Sequence, residues 1–230
     1  THHGDAWRTR MVDRMLGLLR TLGPAQATMV LNLATAAGEV AGEQSAPGVQ
    51  GQLGFATALA LRAVGRLDDA VEAARAGRDA LKAAEAEAEA SELNLLLASL
   101  LVQVRRYDEA RECLQAVQQR AERANQPPLA ARAHLQLAAM ELEVGDAAAA
   151  ADRMVGVVEV LGGLDDPSAH AVALLQQVAA QAGVGDFEAA AQTASRALEV
   201  AEGARLGREL GGARLRLGQL AAIAGLPDAA

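Results

Sequence analysis

Apolar residues recur along the chain at helical spacing in helix-length segments, and short polar turns separate these segments. The segments that lead into a recurring turn are 49–64, 90–104, 129–144, 168–184 and 207–224, and those that follow one are 67–84, 107–124, 147–162 and 187–203. Long β-branched runs, which are typical of sheets, are missing. The pattern predicts an all-α protein built from antiparallel helical hairpins.

The turn inside each hairpin recurs every 40 residues, as GRLDDA (65–70), RRYDEA (105–110), GDAAAA (145–150), GDFEAA (185–190) and GLPDAA (225–230). Glycine where the first helix ends predicts a left-handed residue. The aspartates predict caps at or near the start of the second helix; they are Asp68, Asp108, Asp146, Asp186 and Asp228. Arg105 replaces the glycine in one repeat, so we expect that turn to be strained or closed differently.

Two columns of small residues accompany the turn. One closes the motif, and it consists of Ala70, Ala110, Ala150, Ala190 and Ala230. The other lies at a constant distance upstream, in the first helix, and it consists of Ala58, Ala98, Ala138, Val178 and Gly218. Small residues at corresponding places on two helices let the backbones approach closely, and a large side chain there would overpack the hairpin.

With these columns the chain resembles a tetratricopeptide repeat (TPR) protein, most clearly in LLLASLLVQVRRYDEA (95–110), GDFEAA (185–190) and LRLGQLAAIAGLPDAA (215–230). The resemblance covers residues 50–230, with a degenerate unit at 5–41. It implies a right-handed superhelical solenoid with a concave groove, lined by the first helices, that binds partners. The usual unit has about 34 residues, whereas the turns here begin at 65, 105, 145, 185 and 225, a period of 40 residues. This longer unit is similar to those in sensor regions of bacterial regulators.

Four regions follow from this pattern. Residues 1–5 look like a tag remnant, 6–41 form an atypical helical hairpin, 42–50 form a linker loop, and 51–230 form the repeats. The last repeat lacks a second helix, so we expect the chain to be a fragment of a larger protein.

Mostly apolar columns along the first helices predict the core. These columns begin at Leu53, Thr57, Ala60 and Val64, and the column of Phe55, Leu95, Leu135, Leu175 and Leu215 points to nearly the opposite side. A chemically mixed strip runs between them and predicts the groove. We assign to it Gln52, Leu59, Arg62, Glu92, Leu95, Ser99, Gln103, Arg132, Leu135, Gln136, Glu143, Gln176, Arg216 and Gln219.

Composition excludes several classes of function. The net charge of −8 disfavours nucleic acid as a partner, and no apolar run approaches the roughly 18–20 residues that span a bilayer. The single cysteine, Cys113, permits no intrachain disulfide and fits a cytoplasmic protein. His134 and His170 lack metal-ligand spacing, and no catalytic motif occurs, so we expect neither an enzyme, a metal nor a cofactor.

The function that fits is a non-catalytic scaffold that binds a protein or an extended peptide in the groove. Glutamine, serine, arginine and leucine suit main-chain hydrogen bonds and small apolar pockets. The alternative is a sensor domain of a bacterial transcriptional regulator that binds a small effector or peptide. Variation along the strip is also what plain solvent exposure would produce, and a homo-oligomer is left open.

Overall fold

A computed structural model of the chain describes residues 11, 14–15, 26–42 and 46–223. Within these residues the secondary structure is entirely helical, and residues 11 and 14–15 are helical as well. The helices that the structure bounds are α1 (Ala27–Ala41), α2 (Pro47–Ala63), α3 (Leu67–Ala83), α4 (Glu87–Gln103), α5 (Tyr107–Arg123), α6 (Pro127–Glu143), α7 (Ala147–Met154), α8 (Val157–Gly162), α9 (Pro167–Gly183), α10 (Phe187–Gly203) and α11 (Gly207–Ile223). The predicted all-α array of hairpins is confirmed.

The backbone geometry repeats once for every helix and the turn that follows it. The sequence pattern repeats only once for every two-helix hairpin, so its period is twice as long. Helices α2 to α6 and α9 to α11 each have 17 residues, and where two of them follow each other directly, three residues connect them. These three-residue connections close with the same pair of hydrogen bonds inside hairpins and between them, whereas the longer connection from α8 to α9 closes with Leu164 N donating to Leu161 O. Inside a hairpin, Gly65 N donates to Arg62 O and Arg66 N to Leu61 O; between hairpins, Glu85 N donates to Lys82 O and Ala86 N to Leu81 O.

Arg105 adopts the left-handed conformation of the glycines that it replaces. Its φ is 60°, against 79° at Gly65 and 85° at Gly145, and the same two hydrogen bonds close its turn. The expectation of a different closure is therefore wrong. The expected strain is present, because a side chain in this region of φ is unfavourable.

The predicted aspartate caps form in two of the repeats. Asp146 accepts a hydrogen bond from Ala149 N at 3.0 Å, and Asp186 accepts one from Ala189 N at 3.1 Å. Asp68 and Asp108 instead lie within the first turns of α3 and α5, where a carboxylate meets the positive end of the helix dipole. Asp228 and the rest of GLPDAA lie outside the described residues.

The chain divides into two compact units, residues 1–113 and 114–230. In the first unit α1, α2, α3 and α4 pack consecutively, and both small-residue columns are buried, since Ala58, Ala70, Ala98 and Ala110 are all 0% exposed. Helices α2 and α3 approach each other closely at two glycines. A Cβ added to Gly54 would lie 2.6 Å from the Cα of Gly77, so this contact has no room for a side chain.

In the second unit the segment predicted as one helix, 147–162, is two. Helix α7 ends at Met154 and α8 begins at Val157, because Gly156 takes a φ of 81°. Both helices pack against α6 and α9, and α9 also packs against α10 and α11. Most of the small-residue columns remain buried, with Ala138, Ala150 and Ala190 at 0% exposure, while Gly218 is half-buried.

Two further expectations need correction. The column beginning at Val64 is not core: Val64, Val144 and Val184 are 41%, 49% and 48% exposed, because they cap the ends of first helices rather than face a neighbour. Helix α2 begins at Pro47, so the end of the expected 42–50 linker is helical; proline suits the first turn because it has no N–H to leave unpaired.

Candidate functional site

The predicted groove strip of the first unit is partly occupied by internal contacts. Helix α2 carries Gln52 and Leu59, which are half-buried, and Arg62, which is exposed. On α4, Glu92 and Gln103 are exposed. The Ser99 hydroxyl, also on α4, donates to Leu96 O at 2.8 Å, so it serves its own helix.

Leu95 does not belong to an accessible groove wall. It is 2% exposed, and most of the residues that surround it on α4 are buried as well. Its column mate Leu135 is half-buried and packs against the core of the second unit. The sequence placed both leucines at the border of core and strip, and the structure assigns Leu95 to the core.

Three glutamine side-chain oxygens in the described residues are buried without a hydrogen-bond partner, and two of them lie on the strip of the second unit; the third belongs to Gln181, on α9 in the column of Leu61 and Leu101. Gln136 on α6 and Gln176 on α9 occupy one column, in successive repeats. Both residues are half-buried, yet each amide oxygen is buried and has no hydrogen-bond partner in the described part of the chain. Helices α6 and α9 pack together, so the two amides lie on neighbouring helices.

The remaining strip residues of this unit are exposed. Arg132 lies in the first half of α6, and Glu143 is its last residue. On α11, Arg216 donates to the Oε1 of Gln219 at 3.3 Å. The structure thus places all seven predicted residues of this unit on α6, α9 and α11.

A polar cluster that sequence reasoning missed joins α6 to α7. Glu141 is 7% exposed, and Arg153 holds its carboxylate with Nε at 3.0 and 2.9 Å and with Nη2 at 2.5 Å. Arg153 Nη1 lies 3.4 Å from His134 Nδ1. One signal was available: Glu141 interrupts a column whose earlier members, Leu61 and Leu101, are apolar.

This cluster borders an open cleft at the interruption between α7 and α8. The cleft has a volume of about 700 Å³, within the range of about 300–1,000 Å³ that is usual for small-molecule sites. Its lining is mostly apolar and comprises Pro127, Ala130, Ala131, His134, Ala149, Asp152, Arg153, Val155, Gly156, Val157 and Val160.

Burial shifts the pKa of three groups in the direction that disfavours their charged form. It lowers the pKa of His134, with a further lowering by the Arg153 guanidinium, and it lowers the pKa of His170. It raises the pKa of Cys113, a buried free thiol. Cys113 is therefore held protonated and unreactive.

The described residues contain neither a candidate metal-binding cluster nor a candidate membrane-spanning helix. No group of three or more His, Cys, Asp or Glu in this part of the chain is placed to hold a metal ion. None of the helices bounded above is long and apolar enough to cross a bilayer.

Comparisons with known proteins identify the fold. No protein-family model and no curated protein sequence matches the chain. Among solved structures, apo RapI is similar with a TM-score of 0.80 at 12% identity, over 93% of this chain and 77% of that one. BtubC from P. vanneervenii is similar with a TM-score of 0.65 at 14% identity, over 89% of this chain and 92% of that one.

The apo quorum sensor NprR from B. thuringiensis is similar with a TM-score of 0.67 at 13% identity; the match spans 91% of this chain and 64% of that one. Likeness at these identities shows the fold, an all-α helical repeat. The TPR-like hairpin that the sequence predicts is compatible with it.

Proposed function

We propose that the chain is a non-catalytic scaffold that binds an extended peptide, or an extended segment of a protein, along the strip of its first helices. The observation that carries this proposal is the pair of unpartnered amide oxygens at Gln136 and Gln176. The likeness to a quorum sensor agrees with a role in recognition. So does the mixed chemistry of the exposed strip.

A buried acceptor without a donor costs about 1–3 kcal/mol. The terminal torsion of glutamine is soft, so either amide can turn its oxygen toward the surface and lose no existing hydrogen bond. A main-chain N–H of a bound peptide would then supply the missing donor.

The spacing of the two glutamines also suits an extended chain. Packed helix axes lie about 8–10 Å apart, and an extended strand rises about 3.3 Å per residue. Gln136 and Gln176, on neighbouring helices, would therefore meet main-chain groups about three residues apart. A partner helix would present its own N–H groups already bonded, so these two amides favour an extended ligand over a helical one.

The test begins with peptides selected on this protein from a phage library of randomised heptapeptides. Affinities of a selected peptide are then measured by fluorescence polarisation for the wild type and for Gln136→Leu, Gln176→Leu and the double variant. Each replacement should weaken binding about 5-fold, the value of one hydrogen bond of about 1 kcal/mol. N-methylation of the contacted peptide amide should weaken binding to the wild type but not to the matching leucine variant.

The matched control is Gln192→Leu, since Gln192 is exposed on the second helix α10, and it should bind like the wild type. Unfolding measurements distinguish the loss of a ligand contact from a loss of stability. Removal of an unsatisfied buried oxygen should leave the stability of Gln136→Leu and Gln176→Leu unchanged or higher. Failure to select any peptide, or equal affinity of the wild type and the double variant, would reject the proposal.

A further inference from the structure

The second helix of the third regular hairpin is interrupted where its counterparts are continuous. Helices α3, α5 and α10 pass through the equivalent positions as unbroken 17-residue helices. Between α7 and α8, Val155 is extended at φ −58° and ψ 120°, and Gly156 is left-handed. Val155 is 79% exposed. The interruption coincides with the open cleft between this segment and the first half of α6.

The walls of the cleft are apolar and small. Ala130 and Ala131 line it on α6, while Val157 and Val160 line it on α8. Apolar walls with a few convergent polar groups are the usual composition of a small-molecule site. The polar groups here are His134, Asp152 and Arg153.

The ring of His134 is set as a hydrogen-bond donor. A guanidinium has no acceptor, so the contact of Arg153 Nη1 with His134 Nδ1 at 3.4 Å requires Nδ1 to accept. The proton of the neutral ring is then on Nε2, and His134 is one of the residues that line the cleft. Burial and the Arg153 charge lower the pKa of His134 and hold the ring neutral.

The remaining charges do not favour an ionic ligand. Arg153 is neutralised by its bidentate pairing with Glu141. Asp152 is exposed at the cleft and adds a negative charge, which opposes anions. A cation would lose hydration against alanine and valine walls.

We propose that the cleft between α6 and the α7–α8 interruption is a second ligand site, separate from the groove. Its ligand is a small, neutral, aliphatic or aromatic molecule with one carbonyl or ether oxygen that accepts from His134 Nε2. Ala130, Ala131, Val157 and Val160 bury the apolar body of that molecule.

The experiment uses 4-tert-butylcyclohexanone as the probe, with the corresponding cyclohexanecarboxylate and cyclohexylammonium as charged analogues. Binding is followed by ¹H–¹⁵N NMR of the whole chain. The ketone should shift the amide signals of residues 129–134 and 152–160, with a Kd of roughly 1 mM for a ligand of this size. Both ions should bind at least about 10-fold more weakly, because each must lose hydration in an apolar site.

Two variants test the named contacts. His134→Leu installs the residue of the next repeat, Leu174, and should weaken ketone binding about 5-fold through loss of one hydrogen bond. Ala130→Leu fills the cleft and should abolish the shifts, while Ala148→Leu, at an exposed position of α7 outside the lining, should leave them unchanged. Both cleft variants are first checked for a wild-type helical circular dichroism spectrum.

Three results would overturn the proposal: no shifts in these residues at about 10 mM ketone, about ten times the expected Kd; equal binding of the carboxylate; or equal binding by the Ala130→Leu and Ala148→Leu variants.

Discussion

Replacement of Arg153 by leucine tests the interaction that joins α6 to α7. Glu141 has a side chain 9% exposed, and Arg153 has one 27% exposed. The substitution keeps the apolar stem of Arg153 and removes its charge. The carboxylate of Glu141 is then left buried without its cation.

Loss of one partner of a buried ion pair costs about 3–5 kcal/mol. Arg153 keeps partial access to water, which would enter the variant and solvate Glu141, so we expect the lower end, about 3 kcal/mol. For a chain of this length that corresponds to a drop in Tm of roughly 6–12 °C. The double variant Glu141→Leu with Arg153→Leu removes both charges and should recover most of this loss.

The assay is urea unfolding followed by circular dichroism for the wild type, both single variants and the double variant. The four free energies of unfolding form a double-mutant cycle, which isolates the coupling between the two side chains. The next repeat supplies a natural control, because Gln181 and Thr193 occupy the equivalent positions without charge; Glu141→Gln with Arg153→Thr should therefore fold. A loss below about 1 kcal/mol for Arg153→Leu, the value typical of a surface pair, would refute the reasoning.

Two other predictions concern the turns and the histidines. Arg105→Gly should raise Tm by roughly 1–2 °C, because relief of left-handed strain exceeds the entropy that glycine adds to the unfolded chain; differential scanning calorimetry measures this, and a fall in Tm would contradict it. The folded pKa values of His134 and His170 lie below 6.5. The unfolded chain therefore takes up protons first as pH falls, and the free energy of unfolding declines below pH 6.5 from its full value above it. His134 faces Arg153, Glu122 and Glu141, and His170 faces Arg196; urea midpoints from pH 7.5 to 5.5 should fall less for the double His→Leu variant, and an equal fall would contradict this assignment.

The repeating part of the fold was predictable because its signals are local or periodic. Columns such as Ala70 and Ala110 recur at a fixed interval, and small residues at helix contacts leave few alternative geometries. Helix ends were predicted within a few residues, since proline and glycine mark them. The cap at Asp146 followed from the same local chemistry.

What the sequence could not predict depends on contacts between helices. Periodicity marks Val144 and Leu95 alike as apolar members of a column, yet the first is 49% exposed and the second 2%. A single glycine such as Gly156 does not by itself predict the end of a helix, and no neighbouring residue predicts an interruption there. The pairing of Glu141 with Arg153 depends on how α6 and α7 dock, which residue spacing alone does not determine.

The backbone period of one helix and one turn, which holds outside the α7–α8 interruption, has a consequence for how such a chain could grow. Duplication of a single helix and its turn would preserve every helix length and every left-handed connection. It would nevertheless exchange the roles of first and second helices in all later repeats, because the small-residue columns return only once per hairpin. Genetic gain or loss in whole hairpins keeps both periods in step, so hairpins rather than single helices should be the unit by which related chains differ in length.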